Sequence, residues 1–326
     1  MKITVLSGGV GGARFTRGLL ALLAERLPDG AGGTTASVTV IANTGDDMWL
    51  HGVRVCPDLD TLMYTLGGAV HEEQGWGRRD ESRRVSDDLA AYGLGWEWFT
   101  LGDLDLATHL ARTELLRAGL TLSEVTARLA QRWDVGARLL PMSDDEVETH
   151  VRTADGLIHF EEWWVRHRAA VPALEFVQVG LERAAAAPGV LDAIEDADVV
   201  VLPPSNPVVS IGTILAIPGI DAALRATPAP VVGVSPIVGG APVRGMADAC
   251  LATVGVEATA AEVARWYGRR VEGGLLDAWL VDSVDADAAT ALAAEGWTTK
   301  AAPALMLDVP TTAAIAAEAL ALTHTL

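Results

Sequence analysis

The sequence has 326 residues and a formal net charge of −19, from 43 acidic and 24 basic residues. That charge repels phosphate backbones, which argues against nucleic acid as a partner. Half of the residues are hydrophobic, but no uninterrupted apolar run reaches the ~18 residues of a membrane span, and no signal-peptide pattern is present. Neither of the two cysteines lies in a CxxC motif. We therefore expect a soluble, cytoplasmic protein with reduced thiols and no membrane partner.

The predicted elements alternate as they do in a parallel sheet. A strand over residues 2–6 precedes SGGVGGAR and a helix, and a second strand over residues 37–42 leads into NTGDD. The second half repeats this alternation, with strands over 198–202, 230–235 and 278–283, a short strand over 304–308, and a terminal helix over 311–326. This order predicts an α/β fold with a Rossmann-like, doubly wound and mainly parallel sheet.

The middle of the chain has a different pattern. From about residue 67 to residue 133 it lacks strand-like runs, and the apolar residues there have helical spacing. Alternating runs begin at about residue 146. Beyond that point, two alternating runs flank Ala154-Asp155-Gly156, which predicts a hairpin. We expect residues 1–66 and 146–326 to form the α/β nucleotide-binding core. Residues 67–145 are then a mainly helical insertion that forms a lid over the active site.

Four polar loops follow predicted strands: SGGVGGAR, NTGDDMW, PPSNPVVS and SPIVGGAPVRG. In an open parallel sheet, ligands bind beyond the carboxyl ends of the strands. The four loops are therefore expected to meet at one edge of the sheet, and their convergence is a stronger signal than any one of them.

The glycine-rich loop is the first of the four. Glycine lets the backbone approach a phosphate, and the helix that follows points unpaired N–H groups at it. The glycines concerned are Gly8, Gly9, Gly11 and Gly12. Tight packing is the alternative explanation. A P-loop is excluded because no Lys-Ser/Thr pair follows, and NAD is disfavoured because the second strand ends in Asn43 rather than in an acid.

The NTGDD loop carries a candidate metal site. Asp46 and Asp47 stand at the end of the second strand, and Asp58 follows in CPDLDT. Carboxylate oxygens beside a phosphate-binding loop suit Mg²⁺, which usually takes one or two carboxylates together with phosphate oxygens. The alternative is structural, because Asp-Asp is common in turns and Asp58 can cap the helix that follows.

The two later loops carry candidate nucleotide or phosphate ligands. Ser205 and Asn206 lie in a proline-stiffened turn, and Ser210 stands near the start of a helix whose N-terminus could hold an anion. Ser210 could equally be a plain N-cap. Arg244 is a candidate phosphate ligand, although a solvated surface position is more common for such a residue.

A third polar group lies in the predicted insertion. Asp103, Thr108 and His109 stand near the start of a helix in GDLDLATHLART, where they either face a ligand or begin a solvated helix. The histidines have no HxxxH or cysteine partner, which argues against zinc. In EEWWVRHR, we expect one of Trp163 and Trp164 to pack in the core and the other to stack on a planar ring.

These motifs occur together in an order that resembles one family. GGVGGAR, NTGDDMWLHGVRVCPDLDTLMYTLGG, GWGRRDE, LGDLDLATHL, MSDDEVETHV, IHFEEWWVRHR, PPSNPVVSIGTILAIPG and SPIVGGAPVRGMADACL are similar to segments of the 2-phospho-L-lactate transferases. These enzymes act in the biosynthesis of the deazaflavin coenzyme F420. The resemblance runs from residue 1 to about residue 252, and the remainder adds only α/β patterning.

The resemblance implies a specific reaction. A guanosine diphosphate-linked three-carbon acid, lactyl or enolpyruvyl, would donate its phospho-acid group to the ribityl hydroxyl of the deazaflavin Fo. GMP would leave with the assistance of Mg²⁺, on an α/β core that is commonly dimeric. The full acidic pair and SGGVGGARF resemble the branch that uses the enolpyruvyl donor, although no single residue distinguishes the two acids.

The family's roles are carried over residue by residue. The glycine loop is assigned to the diphosphate, and Asp46, Asp47 and Asp58 to the metal and the acceptor hydroxyl. Asp46 or Asp47 would act as the catalytic base. The nucleotide or its phosphates are assigned to Asn43, Ser205, Asn206, Ser210 and Arg244. The deazaflavin is expected near residues 103–109, with ligands Asp103, Thr108 and His109.

Two other functions compete with this one. A non-catalytic protein that binds a nucleotide sugar for regulation could use the same core, but LGDLDLATHL together with EEWWVRHR is not expected in such relatives. An NAD-dependent oxidoreductase is disfavoured by the end of the second strand. Release of GMP from a guanosine diphosphate-linked donor would separate the transferase from both alternatives.

Overall fold

The computed structural model describes residues 1–94 and 98–324. Its strands are β1 (Lys2–Ser7), β2 (Ser37–Ala42), β3 (Met48–Leu50), β4 (Val53–Val55), β5 (Arg138–Pro141), β6 (Glu148–Thr153), β7 (Gly156–His159), β8 (Glu175–Val179), β9 (Val199–Leu202), β10 (Val231–Val234), β11 (Ile237–Val238), β12 (Ala241–Pro242), β13 (Ala278–Val281) and β14 (Thr298–Ala301). Its α-helices are α1 (Val10–Arg26), α2 (Pro57–Leu66), α3 (Arg84–Ala91), α4 (Asp103–Arg117), α5 (Leu122–Ala130), α6 (Val190–Glu195), α7 (Gly212–Ala216), α8 (Ile220–Ala226), α9 (Ala247–Thr253), α10 (Ala260–Tyr267), α11 (Ala286–Ala294) and α12 (Val309–Ala321). Two π-helical turns cover Glu162–Arg166 and Pro207–Ile211.

A seven-stranded parallel sheet forms the core. Its strand order is β14-β13-β10-β9-β1-β2-β5, and every neighbouring pair in it is parallel. From β1 the chain first adds β2 and β5 on one side and then β9, β10, β13 and β14 on the other. The direction of winding therefore reverses beside β1, and ligands bind at such a switch point. The predicted doubly wound α/β fold is confirmed.

Apolar residues cover both faces of the sheet. Ile3 and Val5 of β1 pack on one face with α1, α2 and α12, while Leu6 packs on the other face with residues of α8 and α10. This alternation is the period of two that a strand buried on both faces requires. Helices therefore cover both faces of the sheet, and the four polar loops lie at its carboxyl edge.

One bent pair of helical segments has the length and the apolar composition of a membrane span. Pro207–Ala216 and Ile220–Ala226 form this pair, with a bend of 89° between them, and much of the pair is buried in the core. Within the described residues, no single helix is both long and apolar enough to cross a membrane.

The predicted insertion differs from expectation at its end. Helices α3, α4 and α5 follow the expected helical spacing, but β5 then pairs with β2, from Thr39 beside Arg138 to Ala42 beside Pro141. This edge strand of the core falls inside the predicted 67–145 segment. A four-residue strand next to helical sequence gives too little periodicity to be recognised.

Two elements near the C-terminus also differ from the sequence-based prediction. The strand expected over 304–308 is wrong, because the strand lies earlier, at β14, and the Ala304 N–H instead donates to the Asp282 carboxylate at 2.7 Å. The terminal helix begins at Val309, where Asp308 and Thr311 form a capping box, and ends at Ala321. Residues 325–326 of the predicted helix lie outside the described residues.

The hairpin predicted at Ala154-Asp155-Gly156 is confirmed. It joins β6 and β7 in a small antiparallel sheet of order β7-β6-β8. The chain leaves β7 at His159 and enters a π-helical turn, with Phe160 and Glu161 between the two elements. The small sheet thereby carries Glu161 to the carboxyl edge of the large sheet.

Candidate active site

A cavity of about 350 Å³ lies at the carboxyl edge of the sheet, and we call it the loop pocket. All four polar loops contribute to its lining, as their positions after β1, β2, β9 and β10 predict. Its lining includes Gly9, Gly11, Arg14, Asp46, Asp58, Trp76, Phe160, Glu161, Trp164, Ser205, Asn206, Ser210 and Arg244.

The glycines hold the loops close together. Helix α1 begins at Val10, so Gly11 and Gly12 lie in its first turn rather than in a loop. A Cβ atom at Gly9 would overlap the Asp58 carboxylate, and one at Gly11 would overlap the carbonyl oxygen of Pro204. The tight-packing explanation therefore has direct structural support. Because Gly9 and Gly11 also line the loop pocket, the same close approach leaves backbone exposed to a ligand.

A Cβ atom at either remaining glycine would also meet a neighbouring loop. At Gly8 it would come within 2.5 Å of the Ser210 hydroxyl oxygen, and at Gly12 it would overlap the Ser7 hydroxyl and come within 2.9 Å of the Ser205 hydroxyl oxygen. The Gly8 N–H donates to the Ser205 hydroxyl oxygen at 3.0 Å. These contacts join the turn after β1 to the turn after β9.

Three carboxylates line the loop pocket, and we call Asp46, Asp58 and Glu161 the acid cluster. Asp46 is only 7% exposed, and its Oδ1 has no hydrogen-bond partner among the described residues. Burial, with Asp58 and Glu161 nearby, raises the pKa of Asp46 well above its ordinary value. Burial also raises the pKa of Asp58 to about 6 and that of Glu161 to about 8.

Asp58 is held from two sides. The Asn43 side chain donates to it at 2.9 Å, and the Gly9 backbone N–H donates to it as well. These bonds favour its charged form and oppose the effect of burial. The N-cap of α2 is Cys56, so Asp58 is not the helix cap of the structural alternative. Asn43 supports Asp58, and the structure does not place it among the lining residues of the loop pocket.

Asp47 points away from the loop pocket. Its carboxylate lies 3.9 Å from the buried Arg54 guanidinium, which also donates to Glu148 at 2.8 Å. Burial raises the pKa of Asp47 to about 7, against the opposing effect of Arg54. The two adjacent aspartates thus face different surroundings, and Asp46 alone of this pair lines the loop pocket.

Two arginines lie at another side of the loop pocket. Arg14 of α1 donates to the Glu72 carbonyl oxygen at 3.2 Å, and Arg244 donates to the carbonyl oxygens of Glu73 and Gln74. Burial lowers the pKa of Arg14, and the positive charge of Arg244 lowers it further. Two guanidinium groups close enough to repel each other form a site that favours an anion between them.

The polar residues after β9 have mainly structural contacts. The Asn206 side-chain oxygen accepts from the N–H groups of Val208 and Val209 at 2.9 and 3.2 Å, so Asn206 caps the π-helical turn. Ser205 accepts from Gly8, and Ser210 packs against Gly8. All three predicted residues line the loop pocket, but the Asn206 carboxamide oxygen is already used.

The polar residues predicted on α4 lie elsewhere. Asp103 accepts from the backbone and hydroxyl of Ser82 at 2.8 and 2.7 Å, and Thr108 lines a separate cavity of about 420 Å³. His109 is buried and belongs to a group that we call the Arg112 cluster. Its members are Asp60, Asp105, His109 and Arg112. The structure therefore does not bring Asp103, Thr108 or His109 to the loop pocket.

The Arg112 cluster contains its own cation. Arg112 donates to both Asp60 carboxylate oxygens and lies 3.1 Å from the His109 Nδ1, while the His109 Nε2 is 3.3 Å from Asp105. One ligand atom each of Asp60, Asp105 and His109 lies within 4.8 Å of the others, which is a metal-like spacing. The Arg112 guanidinium already pairs with the Asp60 carboxylate, so we assign the cluster a structural role.

Several pocket residues were missed from the sequence. Glu161 follows the hairpin in FEEWW with no periodic signal, and Trp76 lies in GWGRRDE, where a half-exposed aromatic in a loop is the available signal. Trp163 is buried in the core, and Trp164 lines the loop pocket beside Phe160 with ring centroids 5.3 Å apart. The expected core position of one tryptophan is confirmed at Trp163, and the stacking of Trp164 on a planar ring stays a prediction.

Known proteins resemble this chain along almost its whole length. Residues 3–317 match the family model described as 2-phospho-L-lactate transferase CofD. Proteins named phosphoenolpyruvate transferase are similar to it: that of Streptomyces griseus is 60% identical over 326 residues, and that of Streptomyces coelicolor is 59% identical over 326 residues, each covering 99% of this chain and 98% of the relative. The protein of that name from Thermobifida fusca is 58% identical over 323 residues, covering 98% of this chain and 97% of the relative.

Solved structures agree on the fold. Two crystal structures of one Bacillus halodurans protein, a member of the upf0052 family, superpose with TM-scores of 0.60 and 0.61 at 18% and 17% identity. They cover 98% and 97% of this chain and 99% and 98% of the other. At that identity they support the architecture alone. On the family model and the close relatives, this chain is a transferase and belongs to the 2-phospho-L-lactate transferase CofD family.

Proposed function

We propose that the protein transfers a phospho-three-carbon-acid group, phosphoenolpyruvyl or 2-phospho-L-lactyl, to the ribityl hydroxyl of the deazaflavin Fo. The reaction would take place in the loop pocket. The donor is the guanosine diphosphate-linked acid, and GMP is the leaving group. One observation carries this proposal: the acid cluster and the pair Arg14 and Arg244 line the same pocket, at the switch point of the sheet. The names of the relatives support the transferred group.

The donor diphosphate requires positive charge and backbone N–H groups. Arg14 and Arg244 supply two guanidinium groups, and the first turn of α1 presents N–H groups beside Gly9 and Gly11. With a chain of net charge −19, such local groups must overcome the long-range repulsion of an anionic substrate. We therefore assign the diphosphate to this part of the loop pocket.

The acid cluster fits a divalent cation. Asp46 has a buried carboxylate oxygen without a hydrogen-bond partner in the described part of the chain, and burial raises the pKa of all three carboxylates. Hard oxygen ligands in this number suit Mg²⁺, so Asp46, Asp58 and Glu161 would hold it. When bound, Mg²⁺ would neutralise charge that develops on the transferred phosphoryl group.

The transfer itself exchanges one P–O bond for another. The ribityl oxygen attacks the phosphorus that carries the three-carbon acid, and the bond from that phosphorus to the GMP oxygen breaks. The hydroxyl proton must leave as the new bond forms, and we assign its acceptance to Asp46, whose Oδ1 is free among the described residues. Trp76, Phe160 and Trp164 offer aromatic surface for the planar substrates.

The test follows GMP. The purified protein is mixed with Fo, the guanosine diphosphate-linked acid and Mg²⁺, and GMP is quantified by chromatography. We expect GMP in proportion to deazaflavin product, and none without the metal. Saturable donor binding without GMP release would instead support the nucleotide-sugar-binding alternative. The cytoplasmic location expected from the sequence stays a prediction. The homodimer expected from the sequence also stays a prediction, and light scattering would measure the oligomeric state.

A further inference from the structure

His159 is a half-buried histidine to which the proposed mechanism gives no role. It is the last residue of β7 and pairs across the small sheet with His150 of β6. The two imidazole rings meet edge to face, with centroids 5.3 Å apart. His159 lies between the turn that carries Asp46 and the turn that carries Glu161, two residues further along the chain.

Two hydrogen bonds define the orientation of the ring. The Glu161 backbone N–H donates to the His159 Nδ1 at 3.1 Å, so that nitrogen must be the unprotonated acceptor. The proton of the neutral ring is therefore on Nε2, which lies 3.4 Å from the Asp47 carbonyl oxygen and can donate to it. One imidazole thus connects the backbone next to Asp46 with the backbone of Glu161.

Neighbouring side chains hold Asp47 from a second direction. Arg54 lies 3.9 Å from the Asp47 carboxylate and donates to Glu148 at 2.8 Å, and Glu148 lies 3.5 Å from the His150 Nε2. The carbonyl of Asp47 contacts His159 while its carboxylate faces Arg54. The small sheet therefore contacts the Asp47 carbonyl oxygen directly through His159, and it contacts the Asp47 carboxylate indirectly, because Glu148 of β6 holds the Arg54 guanidinium that faces it.

We propose that His159 is a positioning residue that fixes the NTGDD loop against Glu161 and thereby sets the affinity of the acid cluster for a divalent cation. This inference rests on the proposed function, because it assumes that the acid cluster binds the cation. Residues that orient metal ligands typically change affinity by about 10- to 100-fold when they are replaced. His159 contacts the backbone on both sides of the cluster, so its loss removes this connection and leaves the bond from the Thr149 N–H of β6 to the Gly45 carbonyl oxygen, at 2.6 Å, between the small sheet and the loop.

Three substitutions of His159 separate the effects of its two ring nitrogens. His159→Asn keeps an acceptor close to the position of Nδ1, His159→Gln keeps a donor close to that of Nε2, and His159→Ala keeps neither. His167→Gln is the matched control, since this histidine is about one-third exposed and lies beyond the π-helical turn, 3.9 Å from Glu162. Mn²⁺ replaces Mg²⁺, and its dissociation constant is measured by electron paramagnetic resonance without substrates. Thermal melting reports stability in parallel.

We expect His159→Ala to weaken Mn²⁺ binding by at least about tenfold, with the Asn and Gln variants between it and the wild type. His167→Gln should bind like the wild type. A merely structural role would lower the melting temperature of the His159 variants and leave their Mn²⁺ affinity unchanged. If His159→Ala does not fold, the Asn and Gln variants carry the comparison.

The outcomes separate this inference from the proposed function. If the wild type binds Mn²⁺, Asp46→Asn does not, and every folded His159 variant binds as tightly as the wild type, the inference is overturned and the cation site stands. If the wild type binds no Mn²⁺, the cation site is wrong and the inference falls with it. A ¹H–¹⁵N spectrum of the imidazole adds a direct check: we expect the Nε2–H tautomer of His159, and the Nδ1–H tautomer would overturn the assignment.

Discussion

The protein contains two groups of buried carboxylates whose charge is balanced in different ways. In the Arg112 cluster, Asp60 pairs with the Arg112 guanidinium and Asp105 lies beside His109. In the acid cluster, the carboxylates face a cavity and form no salt bridge with any described residue. The first group includes its own cation, and the second has an open side where a cation could bind.

The pKa values follow this difference. Burial alone would raise the pKa of Asp105, yet His109 and Tyr64 hold it below its ordinary value. In the acid cluster, burial dominates and the pKa of Glu161 rises to about 8. A buried charge is expensive unless it is paired. Buried carboxylates that the protein leaves unpaired are therefore the better candidates for a ligand site, even though the Arg112 cluster has the more metal-like spacing.

Replacing Asp46 should have the largest effect on activity. In Asp46→Asn, we expect GMP release to fall by about 10³- to 10⁴-fold, because the substitution removes a cation ligand and the proposed proton acceptor. The melting temperature of the metal-free protein should stay equal or rise, because an amide is neutral at every pH and avoids the cost that burial places on the charged form of Asp46. The exposed Asp88→Asn is the matched control. Wild-type turnover in Asp46→Asn would mean that the acidic pair only shapes the turn.

Replacing Arg112 should have the largest effect on stability. In Arg112→Met, Asp60 is left buried without its cation, and we expect the free energy of unfolding to fall by about 3–5 kcal/mol. Urea denaturation measures the change. The double variant Asp60→Asn/Arg112→Met should regain part of the loss, because the unpaired charge is gone. Equal stability of the single and double variants would contradict the assigned structural role.

Between about pH 6 and pH 8, the pH dependence of stability should come from the acid cluster and from Asp47, whose pKa burial raises to about 7. Carboxyl groups of the unfolded chain titrate near pH ~4, whereas those of Asp58 and Glu161 in the folded protein have pKa values of about 6 and about 8. Between these limits the folded state holds more protons than the unfolded state, so the free energy of unfolding of the metal-free protein falls as the pH rises. Differential scanning calorimetry should give a lower melting temperature at about pH 8 than at about pH 6.

Mg²⁺ and a substitution at Glu161 should both change this pH dependence. Saturating Mg²⁺ should raise the melting temperature more at the higher pH, because it binds the deprotonated carboxylates. The variant Glu161→Gln should show a smaller pH dependence than the wild type. A melting temperature that rises from about pH 6 to about pH 8 without metal would contradict the protonated state of the cluster.

The smallest effect is expected on α4. Asp103 accepts hydrogen bonds from Ser82 and lies away from the loop pocket. In Asp103→Asn, we expect the rate of GMP release and the KM for Fo to change by less than about twofold, as is usual for a surface substitution. A large rise in the KM for Fo would restore the expectation that the deazaflavin lies at this helix.

The sequence predicts the sheet and the convergence of the four loops because both follow from local patterns. Alternation of strands and helices determines where each strand ends, and the ends of parallel strands share one edge. The orientation of each carboxylate is not local. Asp47 turns inward because Arg54 reaches it from β4, and Glu161 reaches the loop pocket through the hairpin of β6 and β7.

The position of His109 also could not be predicted from the local sequence pattern. The polar pattern of α4 is the same whether that helix face meets a ligand or the buried Asp60, and Asp60 lies 52 residues away from its partner Arg112. Tertiary packing decides between the two. The glycine loop is a further example, because an added Cβ at Gly8, Gly9 or Gly11 would clash with a residue distant in sequence, such as Pro204 beside Gly11.

A crystal grown with GDP and Mn²⁺ would show where the divalent cation binds, because the anomalous signal locates the metal without reference to activity. We expect a Mn²⁺ peak bounded by Asp46, Asp58 and Glu161, with the diphosphate between it and the pair Arg14 and Arg244. We expect no peak in the Arg112 cluster. A peak beside Asp60, Asp105 and His109, with none in the loop pocket, would contradict the assignment of the cation to the acid cluster.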